Sequence, residues 1–339
     1  MKKKLAAILI PVFLIGLIIA VTVMRKAKSE YTDTGVSISD SGFFFDTVIT
    51  ITLYDNSDAD LIKECFDLCS EYESLLSRTV EGSDIWNINH AAGQPTEVDP
   101  RTAGLITDAL SYSSLTDGRF DISIAAASTL WDFTDHDNDF PDPDSLNEAL
   151  QHIDYKKIQV SGNNVTLEDP DMMIDLGGIA KGYIADQLKD FLVTKGVKNA
   201  LINLGGNVLV IGSKPDGSPY LIGIQYPFKD EGETIAAAML SDSSLVTSGG
   251  YERYIEKDGK IYHHILDPKT GYAVDSDILS VSICCSSSLQ ADAMSTSVFL
   301  LGYDQGAKLI ESQKDVSALI ITDDLQLHPV GDFPLKEIQ

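Results

Sequence analysis

Residues 172–196 read MMIDLGGIAKGYIADQLKDFLVTKG, and the handover inside this stretch decides the class of fold. Met172 to Leu176 reads as an apolar strand, Gly177 and Gly178 end it, and a helix opens with Lys181 in its first turns. Two more runs, ALINLGG and SSLVTSGG, end in a glycine pair, at spacings too uneven for a sequence repeat. Upstream, FFFDTVITITLYD is rich in β-branched and aromatic residues and reads as a strand. In the following ADLIKECFDLCSEYESLLSR, Leu61, Ile62, Cys65, Phe66, Leu68, Cys69 and Tyr72 recur at helical spacing. A second helix is expected over Arg101–Leu115, with Pro100 near its first turn. YERYIEKDGKIYHHILD, around Asp258 and Gly259, has the form of a hairpin. Strands and helices mix without strict βαβ alternation, so the expected class is α+β with mixed or antiparallel sheets, one unit over residues 43–339.

Charge narrows the partners. Lys and Arg total 25 against 51 Asp and Glu, a net charge of −26, so a nucleic-acid partner is not expected. Charge reverses only at the N-terminus, where a basic cap (residues 1–4) precedes an apolar run (residues 5–24) and then Arg25 and Lys26. Such a run matches the ~20 residues a membrane-crossing helix needs and exceeds the ~7–15 of a signal-peptide core, which favours an uncleaved signal anchor. Residues 25–42 read as a polar tether, and the basic cap would stay cytoplasmic, placing the domain outside the cytosol. Cys65, Cys69, Cys284 and Cys285 lack CxxC spacing and read as buried thiols, the adjacent pair facing opposite ways along a strand.

Three segments could carry chemistry. The Gly177–Gly178 turn and the helix N-terminus suit a phosphate, with Lys181 adding a point charge, although a tightly packed turn explains the glycines as well. In LQADAMSTSVFLLG, a helix starting near Ala291 would put Asp292, Ser295 and Thr296 on one face, an oxygen set that suits Mg²⁺. Asp292 as that helix's own N-cap is the simpler reading of the residue alone. In HHILDPKTG, the turn Asp267-Pro268-Lys269-Thr270-Gly271 accounts for its own residues but not for His263 or His264. An imidazole just ahead of a rigid turn could act as a base. The acidic run DFTDHDNDFPDPDS fails the EF-hand pattern and reads as a solvated loop.

Taken in order, IDLGGIAKGY, INLGGN, TSGGYERY, HHILDPKTG and ADAMSTSVFLLG, with SDIWNIN and TDGRFDIS upstream, resemble the ApbE family of FAD:protein FMN transferases. The resemblance implies a single ApbE-like domain that binds FAD and Mg²⁺. Such a domain moves the FMN half of FAD onto a Thr or Ser hydroxyl of an acceptor protein and releases AMP. It implies metal ligation by the Ala180 carbonyl, Asp292 and Thr296, with Ser295 close by. It implies dinucleotide contacts from Phe45, Phe120, Asp121, Asp175, Lys181 and His264, and catalytic roles for His264 and Asp292. The chain departs from the family at Phe45-Asp46-Thr47, where Met-Gly-Thr is usual, and at Thr79, where a flavin-stacking Tyr is common. Hydrolysis of FAD to FMN and AMP, and flavin binding without chemistry, are the competing functions.

Overall fold

The computed structural model describes residues 37–56, 58–133, 140–230, 232–257 and 259–337. The basic cap, the apolar run at 5–24 and most of the tether lie outside these residues, and so does part of the acidic run. Among the described residues no helix is long and apolar enough to cross a membrane.

Along the chain the elements are β1 (Ile38–Phe44), β2 (Thr47–Leu53), α1 (Ala59–Leu76), α2 (Asp84–Asn89), β3 (Thr96–Glu97), α3 (Pro100–Leu115), α4 (Ala125–Ser128) and α5 (Pro143–Ala149). They continue as β4 (Ile158–Ser161), β5 (Asn164–Leu167), α6 (Ala180–Thr194), β6 (Ala200–Leu204), β7 (Asn207–Ile211), β8 (Tyr220–Gln225) and β9 (Thr234–Leu240). The last part holds β10 (Ser244–Gly249), β11 (Tyr254–Lys257), β12 (Lys260–His263), β13 (Ile278–Cys285), α7 (Ser288–Leu301), α8 (Tyr303–Glu311), β14 (Ser317–Thr322), β15 (Leu327–Val330) and β16 (Leu335–Glu337).

An eight-stranded sheet, ordered β1-β2-β6-β7-β10-β13-β14-β15, forms the middle layer. Every pairing among the described strands is antiparallel, so the choice between mixed and antiparallel sheets resolves to antiparallel. Successive side chains of a strand point to opposite faces. In β7, Leu209 and Ile211 join the core under the helices, while Val208 and Val210 join a second core shared with β8, β9 and β16. That strand is buried throughout, which is why NVLVI reads as a continuous apolar run. Cys285 and Cys284 split between the same two cores, as the strand reading expects, and both are free thiols.

Two strand expectations change. Residues 43–55 form two strands, with Phe44 opposite Thr47 across a two-residue turn. Phe45 (φ 54) and Asp46 (φ 57) both take left-handed backbone, which a tight hairpin requires and which Asn-Gly would normally announce. Residues 38–42, assigned to the tether, are therefore strand. Residues 172–176 enter no ladder among the described residues. Asn89 brackets Ile174 instead, donating to its carbonyl at 2.9 Å and accepting from its N–H at 2.7 Å.

The helices follow their patterns more closely. α1 buries Leu61, Ile62, Cys65, Cys69, Tyr72 and Leu76 and is capped by Asp58. α3 starts at Pro100 with Asp99 as its cap. α7 is buried on nearly every side, so each polar group it carries needs a partner inside the protein.

Candidate active site

The site is built on the crossing of α6 and α7. α7 starts at Ser288, with the Ser287 hydroxyl accepting from the Gln290 N–H. Asp292 lies a full turn further in and cannot cap its own helix. Its carboxylate reaches across to accept from the Gly182 N–H at 2.8 Å, in the first turn of α6, a helix with no side-chain cap of its own. Asp186 of α6 returns the arrangement, accepting from the Ser288 and Leu289 N–H groups and the Ser287 hydroxyl. Each helix thus supplies the carboxylate that satisfies the other's free N–H groups. Close approach requires Gly182, where a Cβ would sit 2.6 Å from the Asp292 Cβ.

Asp292 is 4 % exposed. Burial raises its pKa, while Lys181, the Gly182 N–H and Asn207 pull it back down. The Asn207 amide nitrogen is itself buried without a well-formed hydrogen bond, so this corner holds polar atoms that are not fully satisfied. Thr296, one turn along α7, lies 3.3 Å from the Ser248 hydroxyl at the end of β10, and Ser248 is 2.8 Å from Ser295. Ser295 also donates to the Asp292 carbonyl at 2.9 Å, which occupies the hydroxyl within the protein. A Cβ on Gly178 would lie 3.1 Å from Phe120 and 3.5 Å from the Thr296 hydroxyl, so the glycine turn presses directly on the oxygen-bearing face.

Several expected contacts receive structural work instead. Asp121 is buried, and its oxygens accept from the Ser123 N–H and hydroxyl and from the Tyr155 N–H. These bonds hold the 121–124 turn. Phe120 is 4 % exposed and offers its ring to Gly178, leaving little surface for a dinucleotide. Asp175 accepts from the Gly177 N–H at 2.8 Å and pairs with Arg78 at 2.9 Å. Phe45 donates its N–H to Glu73 in the hairpin turn. Lys181 is half-buried and makes no hydrogen bond or ion pair with the described residues, which leaves its charge available.

His264 follows β12 and precedes the Asp267 turn, which closes as expected: the Gly271 N–H donates to the Asp267 carbonyl and Arg119 pairs with the carboxylate. The Arg253 carbonyl accepts from the His264 N–H and lies 3.3 Å from Nδ1. A carbonyl neighbour makes Nδ1 the protonated nitrogen and leaves the lone pair on Nε2. Crowding by protein lowers the His264 pKa to about 4; the Arg253 carbonyl opposes this, while the nearby Arg253 and Lys181 charges act in the same direction as the crowding. Solvent still reaches the ring, so it lies open on one side of an otherwise packed recess. At neutral pH the imidazole is an uncharged base.

The expected donor set is all oxygen, comprising the Asp292 carboxylate, the Thr296 and Ser295 hydroxyls of α7 and the carbonyl of Ala180, the first residue of α6. With no thiol or imidazole among them, these residues fit a hard cation such as Mg²⁺ better than zinc. A separate trio, His152, Asp169 and Asp171, has ligand atoms within 4.8 Å of one another. Asp169 there already has protein partners, with His152 Nδ1 at 3.0 Å and Lys157 Nζ at 3.4 Å. Ser248, Arg253, Asn207 and Arg78 were absent from the expected site because each acts through a contact with a residue distant in sequence.

The sequence pattern of the ApbE family matches residues 45–320. The chain belongs to the ApbE family. A Klebsiella pneumoniae protein named FAD:protein FMN transferase is 37 % identical over 277 residues, spanning 81 % of this chain and 85 % of the relative. A Treponema pallidum protein of the same name is 34 % identical over 279 residues, covering 78 % and 77 %. Among solved structures, the ApbE protein of Thermotoga maritima superposes with a TM-score of 0.79 at 30 % identity, over 87 % of this chain and 97 % of that one. The single α+β domain is thus the ApbE fold, and the α6–α7 crossing lies within the family's matched range.

Proposed function

We infer that this ApbE-family chain is a FAD:protein FMN transferase that uses Mg²⁺ and releases AMP. The acceptor hydroxyl of a Thr or Ser attacks the phosphorus on the FMN side of the FAD pyrophosphate. His264 Nε2 takes the hydroxyl proton, an O–P bond to the acceptor forms, and the P–O bond to the AMP phosphate breaks. Lys181 and the N-terminus of α6 hold the charge that collects on the departing AMP. Asp292, Thr296 and the Ala180 carbonyl would hold Mg²⁺, which supplies charge neutralisation on the pyrophosphate when bound. Ser248 keeps the Thr296 and Ser295 hydroxyls aimed. The export and anchoring of the domain rest on the length and flanking charge of residues 5–24 alone.

The observation that carries this reading is the convergence of three groups: a neutral His264, a half-buried Lys181 whose charge acts on both His264 and Asp292, and the buried Asp292 at the mouth of α6. It is tested by intact-mass analysis of an FMN-accepting domain with a threonine in a Thr-Gly-Ala context, incubated with this chain, FAD and Mg²⁺. A gain of one FMN unit that disappears with Asp292→Ala supports transfer. FAD consumed with the acceptor unmodified makes water the nucleophile and the chain a pyrophosphatase.

A further inference from the structure

We propose that Arg78, which no sequence motif singled out, is a positioning residue for the dinucleotide site. This rests on the transferase reading above. Arg78 sits just past the C-terminus of α1 in a loop fixed by its own polar groups. The Ser77 hydroxyl accepts from the Thr79 and Val80 N–H groups, and the Ser83 hydroxyl donates to the Ser77 carbonyl. From this platform Arg78 Nε meets Asp175 Oδ2 at 2.9 Å. The other oxygen, Oδ1, accepts from the Gly177 N–H at 2.8 Å, and the Asp175 N–H is tied to the Ile122 carbonyl.

Asp175 therefore has its backbone and both oxygens engaged, and its orientation sets that of the glycine turn. The turn in turn sets α6, because the Leu176 carbonyl accepts from the Ile179 and Ala180 N–H groups. Ala180 and Lys181 are the residues delivered to the site. The segment before the turn enters no ladder, so Asn89 and the Arg78–Asp175 pair supply the fixation that a neighbouring strand would otherwise give. Arg78 and Asp175 are each about one-third exposed, 32 % and 30 %, so screening leaves the pair little weight in global stability. Its effect falls on local geometry, where outer contacts of a phosphate or metal site typically matter about 10- to 100-fold.

The test measures FAD and ADP affinity with Mg²⁺ for the wild type, Arg78→Ala, Arg78→Lys, Asp175→Asn and the double variant, together with thermal unfolding. Positioning of the phosphate-side turn predicts that Arg78→Ala weakens FAD and ADP alike by about tenfold, with the unfolding temperature nearly unchanged. Arg78→Lys, which keeps the charge, recovers part of the loss. The double variant binds no worse than the poorer single, because the two residues act as one unit. Unchanged affinities, or losses that multiply in the double variant, overturn the proposal. So does a loss confined to FAD, which would make Arg78 a direct flavin contact. A wild-type chain that binds neither ligand would instead overturn the transferase reading itself.

Discussion

Gly182→Ala is the sharpest probe of the α6–α7 crossing. Gly182 has ordinary helical backbone, so an alanine there suffers from its neighbours rather than from its own conformation. The new Cβ would lie 2.6 Å from the Asp292 Cβ, and closer still to the Ser288 carbonyl oxygen. Carbon atoms settle at about 3.5–4.0 Å, so the two helices must part by roughly 1 Å. Both partners are on α7, one of them backbone, and rotation of a flexible side chain cannot absorb the displacement. Overpacking of this kind costs about 1–3 kcal/mol of stability. The same movement stretches the bond between Asp292 and the Gly182 N–H and separates Lys181 from the α7 oxygens. A displacement of about 1 Å in a positioned site reduces the rate by about 100-fold. The assay is kcat/KM for FMN transfer, normalised to folded protein, beside a thermal melt. Gly104→Ala is the control, since its Cβ meets nothing within 4 Å in the interior of α3. That change should be neutral or stabilise by up to about 1 kcal/mol. If Gly182→Ala melts like wild type and transfers within about threefold of it, a loss of under 1 kcal/mol in the barrier, the crossing is not the site.

Asp292→Asn separates the two roles of that carboxylate. The amide oxygen can still accept from the Gly182 N–H without burying a charge, so the melting temperature without metal should hold or rise, while Mg²⁺-dependent transfer falls at least about 100-fold. For His264, whose pKa is lowered to about 4, the neutral form is the active base. The kcat/KM profile should therefore stay level as pH drops through the ordinary histidine range and fall only near pH 4; an acid limb centred near 6.5 would refute the recess as the cause.

Legibility in the sequence followed the range of the interactions. The stripe of α1, Pro100 opening α3 and the Asp267 turn rest on neighbours within a few residues, and all could be read directly. The start of α7 was misplaced because its true cap, Ser287, works together with Asp186, 101 residues earlier. The Phe45–Asp46 turn carries none of the glycine or asparagine that usually marks such backbone, so the hairpin read as one strand. Asp121 shows the converse case. Its place in GRFD implies a ligand contact, and the structure adds a role the sequence does not show, since the buried carboxylate accepts three bonds from Ser123 and Tyr155. Residue identity within a family pattern does not distinguish a carboxylate that shapes a turn from one that faces a substrate.

On the proposed reading Asp292 combines both functions, and the reciprocal capping explains how. A carboxylate 4 % exposed would ordinarily be expensive to keep ionised. Here the Gly182 N–H of α6 and the Lys181 charge lower that cost without consuming every lone pair, since the Gly182 N–H engages Oδ2 alone. The oxygen is thereby fixed in place by the protein itself, so the proposed cation binding would need little reorganisation. Asp186, on the same helix pair, is more fully engaged, because three donors from α7 and its cap already occupy it. Two aspartates with the same capping geometry thus divide into one that only holds α7 and one that also presents an oxygen to the site. The difference lies in how many donors each carboxylate already satisfies.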